Sequence, residues 1–156
     1  MPKLDLAAIP QTNRTGYPPP YDQAVAGRWV RRLRPAAGLT DLGAAHVVLA
    51  PGAWSSQRHW HAEEDELVVI LEGEAVLVED EGETVLRAGD IAAWPKRVEN
   101  GHVLQNRSDA DCVLLAVSAG DTAADHGEYP DIDMKFTPDG YVRKDGTPYE
   151  DTKRAS

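Results

Sequence analysis

Two histidines and a glutamate stand close together near the middle of the sequence. His59 and His61 are two positions apart, so on an extended strand both imidazoles lie on the same face. Glu66 follows five positions after His61, which is the wrong parity for one unbroken strand. Polar residues 62–65 predict a turn or bulge, and residues 67–71 predict a new strand that begins at the glutamate. Two imidazoles and a carboxylate that converge in this way are typical ligands of a divalent transition metal with open coordination positions.

A second stretch, residues 89–106, supplies a further candidate ligand in His102. Burying four such groups together without a cation is costly, because their lone pairs would face one another. We therefore predict a single metal ion that retains free positions for water, dioxygen or a substrate. Imidazole and carboxylate ligands suit Mn(II), Fe(II), Co(II), Ni(II) or Zn(II), and the order of affinities does not choose among these metals. The predicted ligands are His59, His61, Glu66 and His102.

Other side chains near these two stretches are weaker candidates for a site. Trp54 and Trp94 are candidates for the wall of a substrate pocket, since aromatic side chains commonly form such walls. His46 stands on a predicted strand and is a third pocket candidate, although its apolar neighbours favour a structural role. Asn106 is expected to close a turn through its side chain. Arg58 is expected to face away from the metal, because it directly precedes the first predicted ligand on an extended segment.

The two stretches resemble the two sequence motifs of the cupin superfamily. The matching positions are Gly52, His59, His61, Glu66 and Gly73 in the first motif, and Gly89, Pro95, His102 and Asn106 in the second. Two details depart from the usual pattern, since one extra residue separates the first glycine from the first histidine and no glycine follows the proline. The resemblance implies a double-stranded β-helix whose inner face carries the metal ligands. The proline-rich residues 16–20 and the C-terminal tail also resemble a bacterial group of small cupins, some of which are labelled sugar-phosphate isomerases.

Short apolar segments separated by glycine-containing or acidic turns predict an all-β domain, either an antiparallel sandwich or a barrel of the jelly-roll type. No segment shows a long helical period. The resemblance narrows this to a cupin jelly-roll barrel with an extended N-terminal arm and a loop-rich C-terminal tail. The predicted strands span residues 28–34, 45–50, 67–71, 74–78 and 83–87. The predicted organisation is a proline-rich arm at residues 1–27, the barrel at residues 28–118 and a C-terminal loop and hairpin extension packed on the barrel at residues 119–156.

The flanking segments add two interpretations. Consecutive prolines at residues 18–20 fix an extended backbone, so the arm is expected to lie on the domain surface or across a neighbouring subunit of a homodimer. The predicted strand at residues 28–34 carries four arginines. They form an anion site, or else they are the arginines of a solvated edge strand or pair with acidic loops; we favour the latter two interpretations over the anion site. Residues 136–149 predict a short hairpin that covers the barrel or forms an interface.

Composition restricts the partners and the compartment. The chain has 16 basic and 26 acidic side chains and a formal charge of -10, which disfavours binding to nucleic acid or to an anionic membrane surface. Its one cysteine, Cys112, stands in an apolar run and is expected in the core. The N-terminus lacks a continuous apolar segment and no run approaches membrane-spanning length, so a cytoplasmic protein is expected.

Two classes of function remain open. The first is an enzyme that acts on a small oxygenated substrate, sugar-like or a carboxylate, which chelates the metal through two oxygens. There the metal acts as a Lewis acid and Glu66 or a bound hydroxide moves a proton, in isomerase or lyase chemistry. Fe(II)-dependent dioxygenase chemistry is the competing reaction. The second class is a non-catalytic module that binds a small ligand through the same metal. We favour the enzyme because the predicted metal site is open.

Overall fold

A computed structural model of the chain describes residues 3–150, and in this range the protein is mostly built of β-strands. The strands are β1 (Gln11–Thr12), β2 (Arg28–Arg32), β3 (Leu42–Leu49), β4 (Glu64–Glu72), β5 (Glu74–Glu79), β6 (Gly82–Arg87), β7 (Ile91–Trp94), β8 (Val103–Gln105), β9 (Cys112–Gly120), β10 (Gly127–Tyr129), β11 (Met134–Thr137) and β12 (Gly140–Val142). The helical elements are α1 (Leu33–Ala37) and two 3₁₀ turns, Leu6–Ala8 and Gln23–Val25. Residues 3–150 include no helix with the length and apolar character needed to cross a membrane.

The strands pair antiparallel with their neighbours in three sheets. A six-stranded sheet has the order β1-β2-β3-β9-β4-β7, and two three-stranded sheets have the orders β6-β5-β8 and β10-β11-β12. The six-stranded sheet and the β6-β5-β8 sheet enclose the main core between them. Alternate residues of each strand supply this core, such as Val47 and Leu49 from β3 and Leu77 from β5. This arrangement confirms the predicted all-β double-stranded β-helix.

The strand boundaries differ from the predicted ones, and two of the differences lie close to the site. β2 ends at Arg32 and not at residue 34, because helix α1 begins at Leu33. Pro35 lies in the first turn of this helix, where its missing N–H group has no intrahelical partner to lose. β4 begins at Glu64, two residues before Glu66, so the polar turn ahead of it is shorter than expected. The remaining turn, residues 62–63, still interrupts the alternation of side chains between His61 and Glu66. Glu66 can therefore lie on the inward face of β4.

The N-terminal arm packs on its own chain. β1 pairs with β2, so β2 lies inside the six-stranded sheet and is not its edge strand. Tyr17 and Val25 are buried in a second apolar cluster together with Tyr129 and Phe136 of the C-terminal strands. These contacts hold the arm against the domain of its own chain. The homodimer stays a prediction.

The β10-β11-β12 sheet lies against the segment that carries the first two predicted ligands. The backbone N–H of Ala62 donates to the carbonyl of His126 at 2.8 Å. Gly127 makes this close approach possible, because a Cβ at that position would lie 2.0 Å from the carbonyl oxygen of Trp60. The hairpin predicted in the tail forms between β11 and β12. The C-terminal strands therefore help to position the candidate site.

Candidate metal centre

The backbone holds His59 and His102 opposite each other. The two residues form an isolated antiparallel bridge, in which the N–H of His59 donates to the His102 carbonyl at 3.2 Å and the N–H of His102 donates to the His59 carbonyl at 2.9 Å. A further bond from the N–H of Gly52 to the carbonyl of Asn106, at 2.8 Å, extends the pairing. The two motif stretches therefore run antiparallel, and this brings ligands from distant parts of the sequence to one place.

Glu66 reaches the same place from β4. Its side chain shares the inward face of the strand with the core residue Ile70, because successive side chains alternate. The Oε1 atom of Glu66 lies 3.3 Å from Nε2 of His61, and its Oε2 atom lies 2.7 Å from Nε2 of His102. The Nε2 atoms of His59 and His61 are 3.0 Å apart. The structure thus brings all four predicted ligands together, and the donor atoms of the first three lie within 4.8 Å of one another.

Hydrogen bonds at the outer nitrogens fix the orientation of two imidazoles. Nδ1 of His59 donates to the carbonyl of Gln57 at 2.8 Å, and Nδ1 of His61 donates to the carboxylate of Asp125 at 2.6 Å. Since neither acceptor has a proton to give, a neutral ring keeps its proton on Nδ1 and directs the Nε2 lone pair inward. Inward lone pairs beside a carboxylate fit a divalent cation, so His59, His61 and Glu66 form a candidate site for one. His102 borders this group through its contact with Glu66.

Asp125 is a site residue that the sequence analysis missed. It is fully buried, and its second oxygen, Oδ1, accepts a hydrogen bond from the backbone N–H of Glu63 at 3.0 Å. A carboxylate behind a metal-binding imidazole orients the ring and raises its basicity. Asp125 lies outside both motifs in the sequence. It reaches His61 because the loop that follows β9 folds back onto the first motif stretch. A local pattern in the sequence therefore carried no signal for it.

The candidate ligands shift one another's pKa values. Burial, together with the charge of His61, lowers the pKa of His59 to about 3. Burial also opposes the charged form of His61, but hydrogen bonds with Asp125 and Glu66 outweigh it and raise the pKa of His61 to about 9. Burial favours the neutral form of Glu66, but hydrogen bonds from His102 and His61 hold its pKa well below the usual range. A proton on His61 therefore supplies positive charge beside the Glu66 carboxylate.

The candidate ligands face a cavity of about 340 Å³, a size typical of a site for a small molecule. Trp94 forms part of its wall, and its indole stacks on the imidazole of His102 with ring centroids 3.9 Å apart. The indole N–H donates to Glu79 at 2.8 Å, which holds the ring in this position. Nδ1 of His102 faces the carbonyl of Asn100 at 3.5 Å. The other aromatic residues in the wall are Tyr17, Tyr129, Phe136 and Tyr141.

The other two predicted pocket residues are not among those that line this cavity. Trp54 pairs with Gln105 in an isolated bridge and lies outside the wall. His46 is the neighbour of Val47, which does line the cavity, so alternation along β3 puts His46 on the opposite face of the sheet. There it pairs with Arg31, and burial together with the charge of that arginine lowers the pKa of His46. His46 therefore lies outside the predicted pocket because side chains alternate along β3 and its neighbour Val47 takes the inward face.

The position of β2 in the sheet contradicts the interpretation of an edge strand. Arg28 and Arg32 share one face of β2 with Val30, and all three line the cavity. Arg31 lies between them in sequence and is not part of the wall. The pairing of β2 with β1 removes the edge that such arginines were expected to protect.

Three further expectations agree with the structure. Asn106 is 1% exposed and donates from its amide to the carbonyl of Ala110 at 2.8 Å, which closes the turn between the last two barrel strands. Arg58 faces away from the site and forms an ion pair with Asp131 at 2.8 Å. Cys112 is fully buried, and burial raises the pKa of its thiol to about 11, as expected for an unreactive core residue.

Comparisons with known proteins agree with this geometry. The family model described as the cupin domain matches residues 45–118. A crystal structure of a protein named sugar phosphate isomerase, from a cupin superfamily in Silicibacter pomeroyi, is 42% identical with a TM-score of 0.89, and the match covers 96% of this chain and 98% of that one. A protein from Acidithiobacillus ferrooxidans, provisionally named a sugar phosphate isomerase, is 22% identical with a TM-score of 0.71 over 80% and 82% of the two chains.

A more distant likeness reaches a protein from Thermotoga maritima that is provisionally named an oxalate decarboxylase. It is 21% identical with a TM-score of 0.58, and the match covers 76% of this chain and 98% of that one. At this identity, and at that of the Acidithiobacillus protein, the likeness extends to the fold alone. None of the curated proteins matches the sequence.

Proposed function

The chain belongs to the cupin superfamily, and from this premise we propose that it is a metal-dependent isomerase of a small sugar-like substrate. The observation that carries the proposal is the convergence of three imidazoles and the Glu66 carboxylate at a cavity of about 340 Å³. The name of the Silicibacter protein supports isomerisation as the reaction, because that protein is 42% identical over almost the whole chain.

The proposed metal ligands are His59, His61, Glu66 and His102. Mn(II), Fe(II), Co(II), Ni(II) and Zn(II) all accept such a donor set. A bound ion of this kind supplies Lewis acidity, which polarises a substrate carbonyl. The chain holds the donors ready through the backbone bridge between His59 and His102 and through the hydrogen bond from His61 to Asp125. Donors fixed in advance need little rearrangement when the ion and the substrate bind.

We assign the proton transfer to Glu66. Its two carboxylate oxygens have different neighbours, since Oε1 faces His61 and Oε2 faces His102. If one of these oxygens held the metal, the other would be the group that exchanges a proton with the substrate. In an isomerisation between an aldose and a ketose, a proton leaves the carbon next to the carbonyl and a proton returns to the former carbonyl carbon. The proton of the neighbouring hydroxyl moves to the former carbonyl oxygen, so the overall reaction balances without any added group. The electron pairs move within the substrate, so the reaction needs no oxidant or reductant.

The wall of the cavity suits such a substrate. Trp94 and Phe136 provide apolar surface, and Tyr17, Tyr129 and Tyr141 add hydroxyl groups. Apolar walls with a few fixed polar groups are typical of sites that bind small ligands. Aromatic walls also exclude water from the reacting carbon, which limits side reactions.

A solvent-exchange experiment tests the proposal. Protein reconstituted with each of the five metals is incubated with phosphorylated and unphosphorylated aldoses in deuterium oxide, and NMR follows ketose formation and deuterium uptake. We expect one substrate series to isomerise with deuterium incorporated next to the carbonyl. Glu66→Gln should abolish this exchange, and its metal content is measured in parallel. Glu72→Gln, an exposed change on the same strand, is the matched control and should leave the rate unchanged.

Two outcomes would reject the isomerase. The first is the absence of deuterium exchange with every metal and every sugar. The second is uptake of dioxygen by the Fe(II) form on addition of a diol or catechol, which would establish the competing dioxygenase chemistry.

A further inference from the structure

Two arginines of β2 face the cavity. Arg28 and Arg32 line it from β2, in the same cavity as the candidate metal ligands. Among residues 3–150, none of the ion pairs includes either arginine. The chain has 26 acidic side chains, yet within the described range the cavity wall includes no carboxylate except Glu66, whose oxygens are directed at His61 and His102. Neither guanidinium group therefore has a carboxylate of residues 3–150 within ion-pair distance.

The guanidinium of Arg28 is only partly engaged. Its Nη1 atom donates to the carbonyl of Ser55 at 2.7 Å. Its Nε–H group is buried and has no acceptor within residues 3–150. A buried N–H without an acceptor is unfavourable, and such groups are rare unless a ligand or a water satisfies them. The Nε–H group of Arg31 is buried in the same way, but Arg31 does not line the cavity. Because Arg28 does line it, an oxygen of a bound ligand is the natural acceptor there.

The guanidinium of Arg32 lies within electrostatic range of the guanidinium of Arg28. Burial, and after it the charge of Arg28, lowers the pKa of Arg32. Like charges that share one wall repel each other, and an oxyanion between them removes the repulsion. Arg32 is exposed at the mouth of the cavity, so a ligand can reach it from solvent.

Tyr17 connects the arginines with the candidate metal centre. Burial raises the pKa of its phenol, while the charges of Arg28 and Glu66 act on it in opposite directions. The phenol is thus within electrostatic range of both groups, and all three line one cavity. A single small ligand placed there would contact the arginines at one end and the candidate metal ligands at the other.

We propose that Arg28 and Arg32 bind an oxyanion of the substrate, a phosphate or a carboxylate, while the carbonyl end of the substrate lies at the candidate metal centre. Planar guanidinium groups match both oxyanions, because parallel N–H groups donate to two oxygens at once. The inference deepens the proposed function and rests on it for the reaction at the other end of the ligand.

Calorimetric titration with inorganic phosphate and with acetate tests the anion site. Metal-free protein is used, because either anion would otherwise bind the ion directly. We expect Arg32→Gln to weaken phosphate binding by about tenfold or more, the effect of losing a charge-assisted contact. Arg28→Lys keeps the positive charge but loses the two parallel N–H groups of the guanidinium, so it should weaken phosphate binding less than Arg32→Gln does. Arg31→Gln removes the same charge from the neighbouring position on the opposite face of β2 and should change nothing. Thermal unfolding of each variant establishes that it is folded.

The two anions separate the two substrate classes. Tighter binding of phosphate than of acetate indicates a phosphorylated substrate, and the reverse order indicates a carboxylated one. Equal phosphate affinity in Arg32→Gln and the unmodified protein, or an equal loss in Arg31→Gln, overturns the anion site.

The result is distinguishable from a failure of the proposed function. If phosphate binding depends on Arg32 but no sugar is isomerised, the anion site stands and the isomerase is rejected. If phosphorylated sugars are isomerised at a rate that Arg32→Gln does not alter, the isomerase stands and the anion site is rejected.

Discussion

The carboxylate of Asp125 lies 2.6 Å from Nδ1 of His61, although the two residues are 64 positions apart in the chain. This contact fixes the tautomer of the imidazole and directs its Nε2 atom at the other candidate ligands. The loop that carries Asp125 is therefore as much a part of the proposed metal centre as either sequence motif.

Replacing this carboxylate tests its role as a positioning group. Asp125→Asn keeps the shape of the side chain but weakens the hydrogen bond to His61, so we expect metal affinity to fall by about 10- to 100-fold. Competition with a chromophoric chelator measures the affinity. His126→Ala, at the next and exposed position of the same loop, is the control and should bind metal normally. Unchanged affinity in Asp125→Asn would mean that the carboxylate merely fills space.

Metal binding should depend on pH because a proton must leave the site. The pKa of His61 is about 9 in the metal-free protein, whereas that of His59 is about 3 and that of Glu66 lies well below its usual range. Near neutral pH these three groups carry about one proton between them, which the metal displaces. Affinity should therefore rise with pH and level off above about 9. Calorimetry in buffers of different ionisation enthalpy counts the protons, and a pH-independent affinity contradicts the assignment.

Asn106 should matter for stability and not for metal binding. Its buried amide donates to the carbonyls of Leu49 and Ala110, and Asn106→Ala leaves both acceptors without this donor. We expect a loss of about 2 to 4 kcal/mol in the free energy of unfolding, with metal content retained. Ser108→Ala, which removes one hydroxyl donor to Asn106, should cost about 1 kcal/mol or less. Denaturant unfolding measures both, and a variant that is stable but metal-free would assign Asn106 to the site instead.

The sequence predicted the parts of the site that depend on local spacing. His59 and His61 are two positions apart, and the extended backbone between them is enough to put both rings on one side. Glu66 and His102 stand at the motif spacing, and alternation on β4 and the backbone bridge bring them to the same point. The all-β fold followed from short apolar segments between turns, for the same reason of local periodicity.

Local spacing and periodicity could not predict contacts between segments that are distant in the sequence. Asp125 reaches His61 only because a loop and Gly127 allow the C-terminal strands to approach the first motif closely. The role of Arg28 and Arg32 depends on which face of β2 turns inward, and a strand with arginines on both faces does not reveal this. For a similar reason the sequence left His46 open between the pocket and the favoured structural role, because apolar residues stand on both sides of it in the chain.

Metal content tests the central claim most directly. Elemental analysis of natively purified protein should find about one transition metal ion per chain, as expected for a single site with imidazole and carboxylate ligands. His59→Ala and His102→Ala should each lose most of this metal, whereas His126→Ala should keep it. Wild-type occupancy in both His59→Ala and His102→Ala would contradict the proposed metal centre and the isomerase that depends on it.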